Sequence, residues 1–166
     1  RYNVDLEVLS SFSGNPGTKV KEVVKMEKTN VSGIARDDDI TRISLVGVND
    51  KPGVAFKVFS LLAKAKVNVD IILQSIGKGG LNDISFTVPR ADGETAVKVL
   101  QEYKTALGAS DLSVNDSVSK VSIVGAGMAN SPGVAADMFE ALSAAGINIQ
   151  MISTSEMQIS VLVDHK

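Results

Sequence analysis

The stretch Lys120–Gly133, KVSIVGAGMANSPG, runs a β-rich apolar segment into Gly125-Ala126-Gly127, the opening of a dinucleotide-binding loop. That loop needs a third small residue, and here the place is taken by Asn130. It also needs a longer βαβ context with an acid further on. A lone Gly-x-Gly does not carry a nucleotide site. Gly14–Lys19, GNPGTK, has the letters of a phosphate loop without its spacing. The chain has no Cys, and its one His, His165, stands next to the last residue, which leaves no thiolate chemistry and little basis for a His triad. No catalytic residue and no metal-ligand set is assigned. What remains are two Pro-Gly pairs, Pro52-Gly53 and Pro132-Gly133, each ahead of an apolar helical stripe. A helix start exposes N–H groups that suit a carboxylate. Gly53 lets a ligand approach the backbone, and Asp50 offers an acid to an ammonium. The same residues also make a plain turn and helix start, and spacing alone favours that reading.

The elements that position these residues come from a repeat. Arg42–Ser75 and Lys120–Ser155 align, and from Pro52 against Pro132 the register is a constant 80 residues. Over those 24 positions ten are identical, so the copies share one supersecondary unit. In the first copy Ile43–Val48 reads as a buried strand. Pro52 suits a first helical position, and Val54, Val58, Leu61, Leu62 and Ala65 form the stripe of the helix behind it. Asn68–Ser75 reads as a strand, Lys78-Gly79-Gly80 as a hairpin turn and Asp83–Pro89 as the next strand. Gly93–Leu107 reads as a second helix and Asp111–Val114 as a last strand. The order is βαββαβ: a ferredoxin-like α+β unit, an antiparallel sheet with two helices on one face. The second copy gives strand Lys120–Val124, helix Pro132–Ala145 and strands Ile147–Ser155 and Met157–Asp164. Its second helix and last strand are not in the sequence, so the expectation is a piece of a longer protein with an incomplete second module. Asn30–Ala35 is expected to lend a strand to one of the sheets.

Composition narrows the function. With 44% apolar and 22% charged residues the 166-residue chain reads as a globular one. A net charge of −2, five Phe, two Tyr and no Trp argue against a nucleic-acid surface. No apolar run approaches the ~20 residues of a membrane span. The expected setting is cytoplasmic.

A repeated βαββαβ unit with Pro-Gly ahead of its first helix resembles a pair of ACT domains, the amino-acid-sensing modules of biosynthetic enzymes. VNDKPGVAFKVFSLLAKAKVNVDIILQS, NDISFTV, VSIVGAGM, SPGVAADMFEALSAAGINIQMISTSE and ISVLV are similar, in order and spacing, to the regulatory region of the aspartate kinase family. LEVLSSFSGNPGTKV resembles the segment where that family's kinase domain hands over to the regulatory region. The resemblance implies that residues 1–39 are the end of a kinase domain with linker strands, 40–117 the first ACT module and 118–166 an incomplete second. Met26 lies where some family members start a separate regulatory subunit; it is equally an ordinary residue. The family's kinase motif is absent, so the fragment itself should not be an enzyme. ATP and magnesium would belong to the absent kinase domain, and no cofactor is expected here.

The resemblance also implies the sites. Threonine would be held by Asp50, Gly53, Val54, Ala55 and Gln74 of the first module, with Asn148 and Ile149 of the second completing the site across an interface. The repeat implies a mirror site for threonine or lysine. Asn130, Ser131, Gly133 and Val134 would face Asn68, Val69 and Asp70, with Ser153, Ser155 and Glu156 near. Asp70 and Glu156 would suit the two ammonium groups of lysine; Glu156 is equally a solvated edge residue. The implied partners are L-threonine, alone or with L-lysine, a second copy in a homodimer, and a kinase catalytic domain or subunit. An ACT regulator of another amino-acid pathway, or a repressor, is the alternative.

Overall fold

A computed structural model describes residues 6–9, 12, 18–20, 31–76, 78–128 and 131–165. Strands β1 (Leu6–Val8) and β2 (Thr18–Val20) pair antiparallel as a small sheet of their own. After β3 (Gly33–Asp37), the first module comprises β4 (Ile40–Asn49), α1 (Val54–Lys64), β5 (Ile72–Ile76), β6 (Leu81–Pro89), α2 (Arg90–Leu107) and β7 (Asp111–Asn115). The second comprises β8 (Val118–Val124), α3 (Val134–Ala144), β9 (Ile149–Thr154) and β10 (Gln158–Asp164).

The first sheet has the order β5-β6-β4-β7 with every neighbour antiparallel, the arrangement expected of a ferredoxin-like unit. Alternation along β4 and β6 sends Ile43, Leu45, Ile84, Phe86 and Val88 to the helix side. There they meet Val58 and Leu62 of α1 and Ala96, Leu100 and Leu107 of α2. Phe59 meets the edge of Phe86 at a centroid distance of 5.6 Å. Burying each such side chain is worth about 1.5–3 kcal/mol, so this aliphatic core holds the module without Trp. Beyond Leu45 the β4 ladder shifts register at Gly47, whose φ of 64° and backbone bond to Asp83 Oδ1 (2.8 Å) make a bulge.

The second sheet runs β3-β8-β10-β9. The strand expected around Asn30–Ala35 is β3, and it pairs antiparallel with β8, Ile34 opposite Ile123. That edge corresponds to the one β7 occupies in the first module. A third apolar cluster, Ile40 and Ile71 with Val118, Met151 and Leu162, packs the modules together. Arg42 Nη1 donates to Gln150 Oε1 across the same junction (2.7 Å).

Some boundaries differ from the sequence reading. α1 starts at Val54 rather than Pro52, because Gly53 adopts φ 92°, a left-handed turn that no helix interior contains. Gly133 does the same at φ 104° before α3. α2 starts three residues earlier than expected, directly after Pro89, since proline is tolerated just ahead of a helix. Asn68–Ile71 is not part of β5, although Asp70 N still donates to Thr87 O (3.0 Å). Among the described residues, no helix is long and apolar enough to cross a membrane.

Candidate functional site

Between β4 and α1 the chain turns in four residues, Asp50 to Gly53, pinned by Asp50 N donating to Gly80 O (2.9 Å). Val54 N reaches Lys51 O, whereas the N–H groups of Ala55 and Phe56 find no backbone acceptor among the described residues. They are the orphan donors of a helix start. A hollow of about 340 Å³ opens at this point. Asp50, Gly53, Val54, Ala55 and Gln74 all line it, so loop and strand meet as the sequence implied. Gly53 leaves the floor open, with no atom within 4 Å of where a Cβ would stand.

Among the further lining residues that sequence reasoning did not single out are Asn82 and Ile84 on β6. Asn82 is only 4% exposed, and its Nδ2 donates to Asp50 Oδ1 at 2.9 Å. A sequence signal existed: Asn82, Ile84, Phe86 and Val88 alternate, which puts a polar residue in a core-facing place.

Asn148 lies elsewhere. It lines a separate hollow of about 230 Å³ with Arg36, Ser119 and Asp164, and Ile149 follows as the first residue of β9. Gln150, next along β9, is bound to Arg42, seven residues before the end of β4. At about 3.3 Å per residue that is roughly 20 Å from the Asp50 loop. Within one chain the two halves of the first site do not meet.

The mirror site is divided in the same way. Ser131, Gly133 and Val134 lead into α3, with Ser131 N donating to Met128 O (3.2 Å). Asn130 lies outside the described residues, as does Met26. Ser153 is on β9, Ser155 N donates to Gln158 O (2.8 Å), and Glu156 is exposed in the β9–β10 turn. All of these gather at the Val124 end of β8. Asn68, Val69 and Asp70 line a hollow of about 340 Å³ at the other end, with Asp37, Asp39 and Lys120. Asp70 is not a free acid there: Lys120 Nζ pairs with its Oδ2 and stands 3.7 Å from Asp37 Oδ2. Lys120, unremarked in the sequence, is the cation of this pocket.

Nearby, the Ser119 hydroxyl and then Arg36 hold the Asp38 carboxyl below its ordinary range. Ser119 Oγ also lies 3.0 Å from His165 Nδ1.

The Gly125-x-Gly127 turn has none of the geometry of a dinucleotide loop. β8 ends at Val124 and α3 begins only at Val134. Neither glycine is among those with positive φ.

The ACT domain family model matches residues 43–103 and 121–166. The chain is 47% identical over 168 residues to an aspartokinase of Mycolicibacterium smegmatis, covering 98% of this chain and 40% of that protein. The chain thus spans about 40% of the length of the curated relatives it matches. Among solved structures it resembles the ligand-free regulatory subunit of aspartate kinase from Thermus thermophilus, at a TM-score of 0.78 and 38% identity over 82% of this chain and 90% of that one. It is also similar to a chain of a structure of aspartokinase alpha and beta subunits, at a TM-score of 0.76 and 47% identity over 81% of this chain and 88% of that one. Two repeated modules, an open hollow at the start of α1 and these likenesses together place the chain: it belongs to the ACT-domain family, as a regulatory region of the aspartokinase kind.

Proposed function

We propose that this chain is the feedback sensor of an aspartate kinase and binds L-threonine at the Asp50–Ala55 loop. The observation that carries the reading is the open hollow lined by Ala55, whose N–H has no backbone acceptor among the described residues, together with Asp50 and Gln74. That N–H would take the ligand's carboxylate, helped by the helix dipole, and Asp50 its ammonium. A second copy in a homodimer would supply Asn148 and Ile149, whose amide and backbone can both donate and accept. The edge strand β5 favours such an assembly, since it exposes Ile72, Leu73 and Ile76 along a rim that is unpaired among the described residues. Regulation would then be coupling: ligand bound between copies favours one arrangement of modules, and that arrangement sets the activity of an attached catalytic portion. Phosphoryl transfer, with ATP and magnesium, is assigned to that portion and not to this chain.

The mirror site would take a second threonine, or lysine, between Ser131–Val134 and Asn68–Asp70 of the other copy. The Lys120–Asp70 pair favours threonine, because the additional side-chain ammonium of lysine would have to compete with a cation already in place.

Thermal melts of the protein with threonine, lysine, both, serine and leucine test the reading. A ligand at ~100 times its dissociation constant adds ~2.7 kcal/mol. The expected result is a rise of roughly 5–10 °C with threonine. Asp50→Ala and Asn148→Ala should each remove it. A shift with another amino acid and none with threonine would transfer the sensor to a different pathway.

A further inference from the structure

We infer that Asn82 is a ligand-binding residue of the first effector site, its carbonyl oxygen accepting from the α-ammonium of a bound amino acid; this rests on the reading of the Asp50 loop as an effector site. The orientation of the Asn82 amide follows from its neighbour. An ionised carboxylate only accepts, so Nδ2 must face Asp50 Oδ1, as it does at 2.9 Å, and Oδ1 must face away. That oxygen is buried and has no hydrogen-bond partner among the described residues. Folded proteins rarely leave such an acceptor unpaired, because nothing repays its lost hydration. Asn82 lines the same hollow as Asp50, Gln74 and the start of α1. Two acceptors, one charged, therefore stand side by side on residues that line the hollow. A cation with several N–H donors fits them, and the ammonium of an amino acid bound by its carboxylate at α1 is that group.

The repeat supplies a comparison. Ser44 pairs with Ser85 across the first sheet as Ser122 pairs with Ser160 across the second, so Asn82 corresponds in register to Met157. Asp50 corresponds to Asn130. The carboxylate is thus replaced by an amide and the buried amide by Met157, which is exposed rather than buried. The two loops are not equivalent: the first pairs a carboxylate with a buried amide, where the second has Asn130 and Met157 at the corresponding positions.

Titration calorimetry of the protein with L-threonine and with its 2-hydroxy-acid counterpart, which lacks the ammonium, tests the assignment in wild type and Asn82→Leu. The expected result is a threonine affinity lower by about 10- to 100-fold in the variant, with a much smaller change for the hydroxy acid. Equal loss for both ligands would mean that Asn82 only shapes the loop, and unchanged threonine affinity in a folded variant would also overturn the inference. Asn82→Thr, shorter but still able to donate to Asp50, provides the same comparison if the leucine variant does not fold. A wild-type protein that binds neither ligand overturns the effector reading itself, and this inference with it.

Discussion

Lys120 offers the sharpest test of how the modules are held together. Its side chain is 19% exposed and reaches from β8 of the second module to Asp70 of the first and Asp37 of β3. At 3.7 Å, the separation from Asp37, two unit charges attract by about 1 kcal/mol in water and about 4.5 kcal/mol at an effective dielectric of 20. Both acids are close to half exposed, which places the gross attraction toward the lower figure. Adding the direct bond to Asp70 and subtracting the dehydration of the ammonium leaves a net of about 1–2 kcal/mol. For a chain of this length, Lys120→Met should therefore lower Tm by roughly 3–6 °C. Lys98→Met makes the same change of charge at an exposed place on α2 and should shift Tm little. Melts at about 0.01 M and 1 M salt, with Debye lengths of about 30 and 3 Å, complete the assay, and the Lys120 deficit should shrink at the higher salt. A Lys120 variant no less stable than the Lys98 variant would refute the reasoning. So would a deficit indifferent to salt, which would mean that only the packing of the lysine stem was lost.

Two other outcomes follow from the geometry. Gly53→Ala meets no atom, so its cost is the left-handed backbone alone, about 1 kcal/mol, and a Tm lower by roughly 2–4 °C. Gly33→Ala, which has ordinary φ and meets only Val124 at 3.5 Å, should be near neutral in the same melt. For pH, the folded-state carboxyl of Asp38 is held below its unfolded value by Ser119 and Arg36. Its contribution is therefore fully present above the unfolded value and is lost as pH falls through the lower folded one. Urea midpoints of wild type and Asp38→Asn should differ at pH 6 and converge below about pH 4; a constant difference would contradict this.

The constant 80-residue register, the Pro-Gly turns and the alternating apolar runs determined the two α+β modules before any coordinates, because strand and helix periods are local properties of the chain. Spacing alone read Asp50, Gly53, Val54 and Ala55 as a plain turn and helix start, and the family resemblance grouped them with Gln74, which β5 brings to the same hollow. Pairing partners were not local. Nothing in the residues of β3 specifies that it joins β8 and not the first sheet, since a mostly exposed five-residue strand fits many edges. The same holds for charges distant along the chain. Asp70 and Lys120 are fifty residues apart, and only the packing of one module on the other, around Ile40, Ile71 and Leu162, makes them a pair. Asn82 was visible as a polar residue in a core-facing place, but the bond that fixes its amide needs Asp50 brought to it across 32 residues. Local pattern decided the elements, while burial and charge between distant segments decided which of their residues share a site.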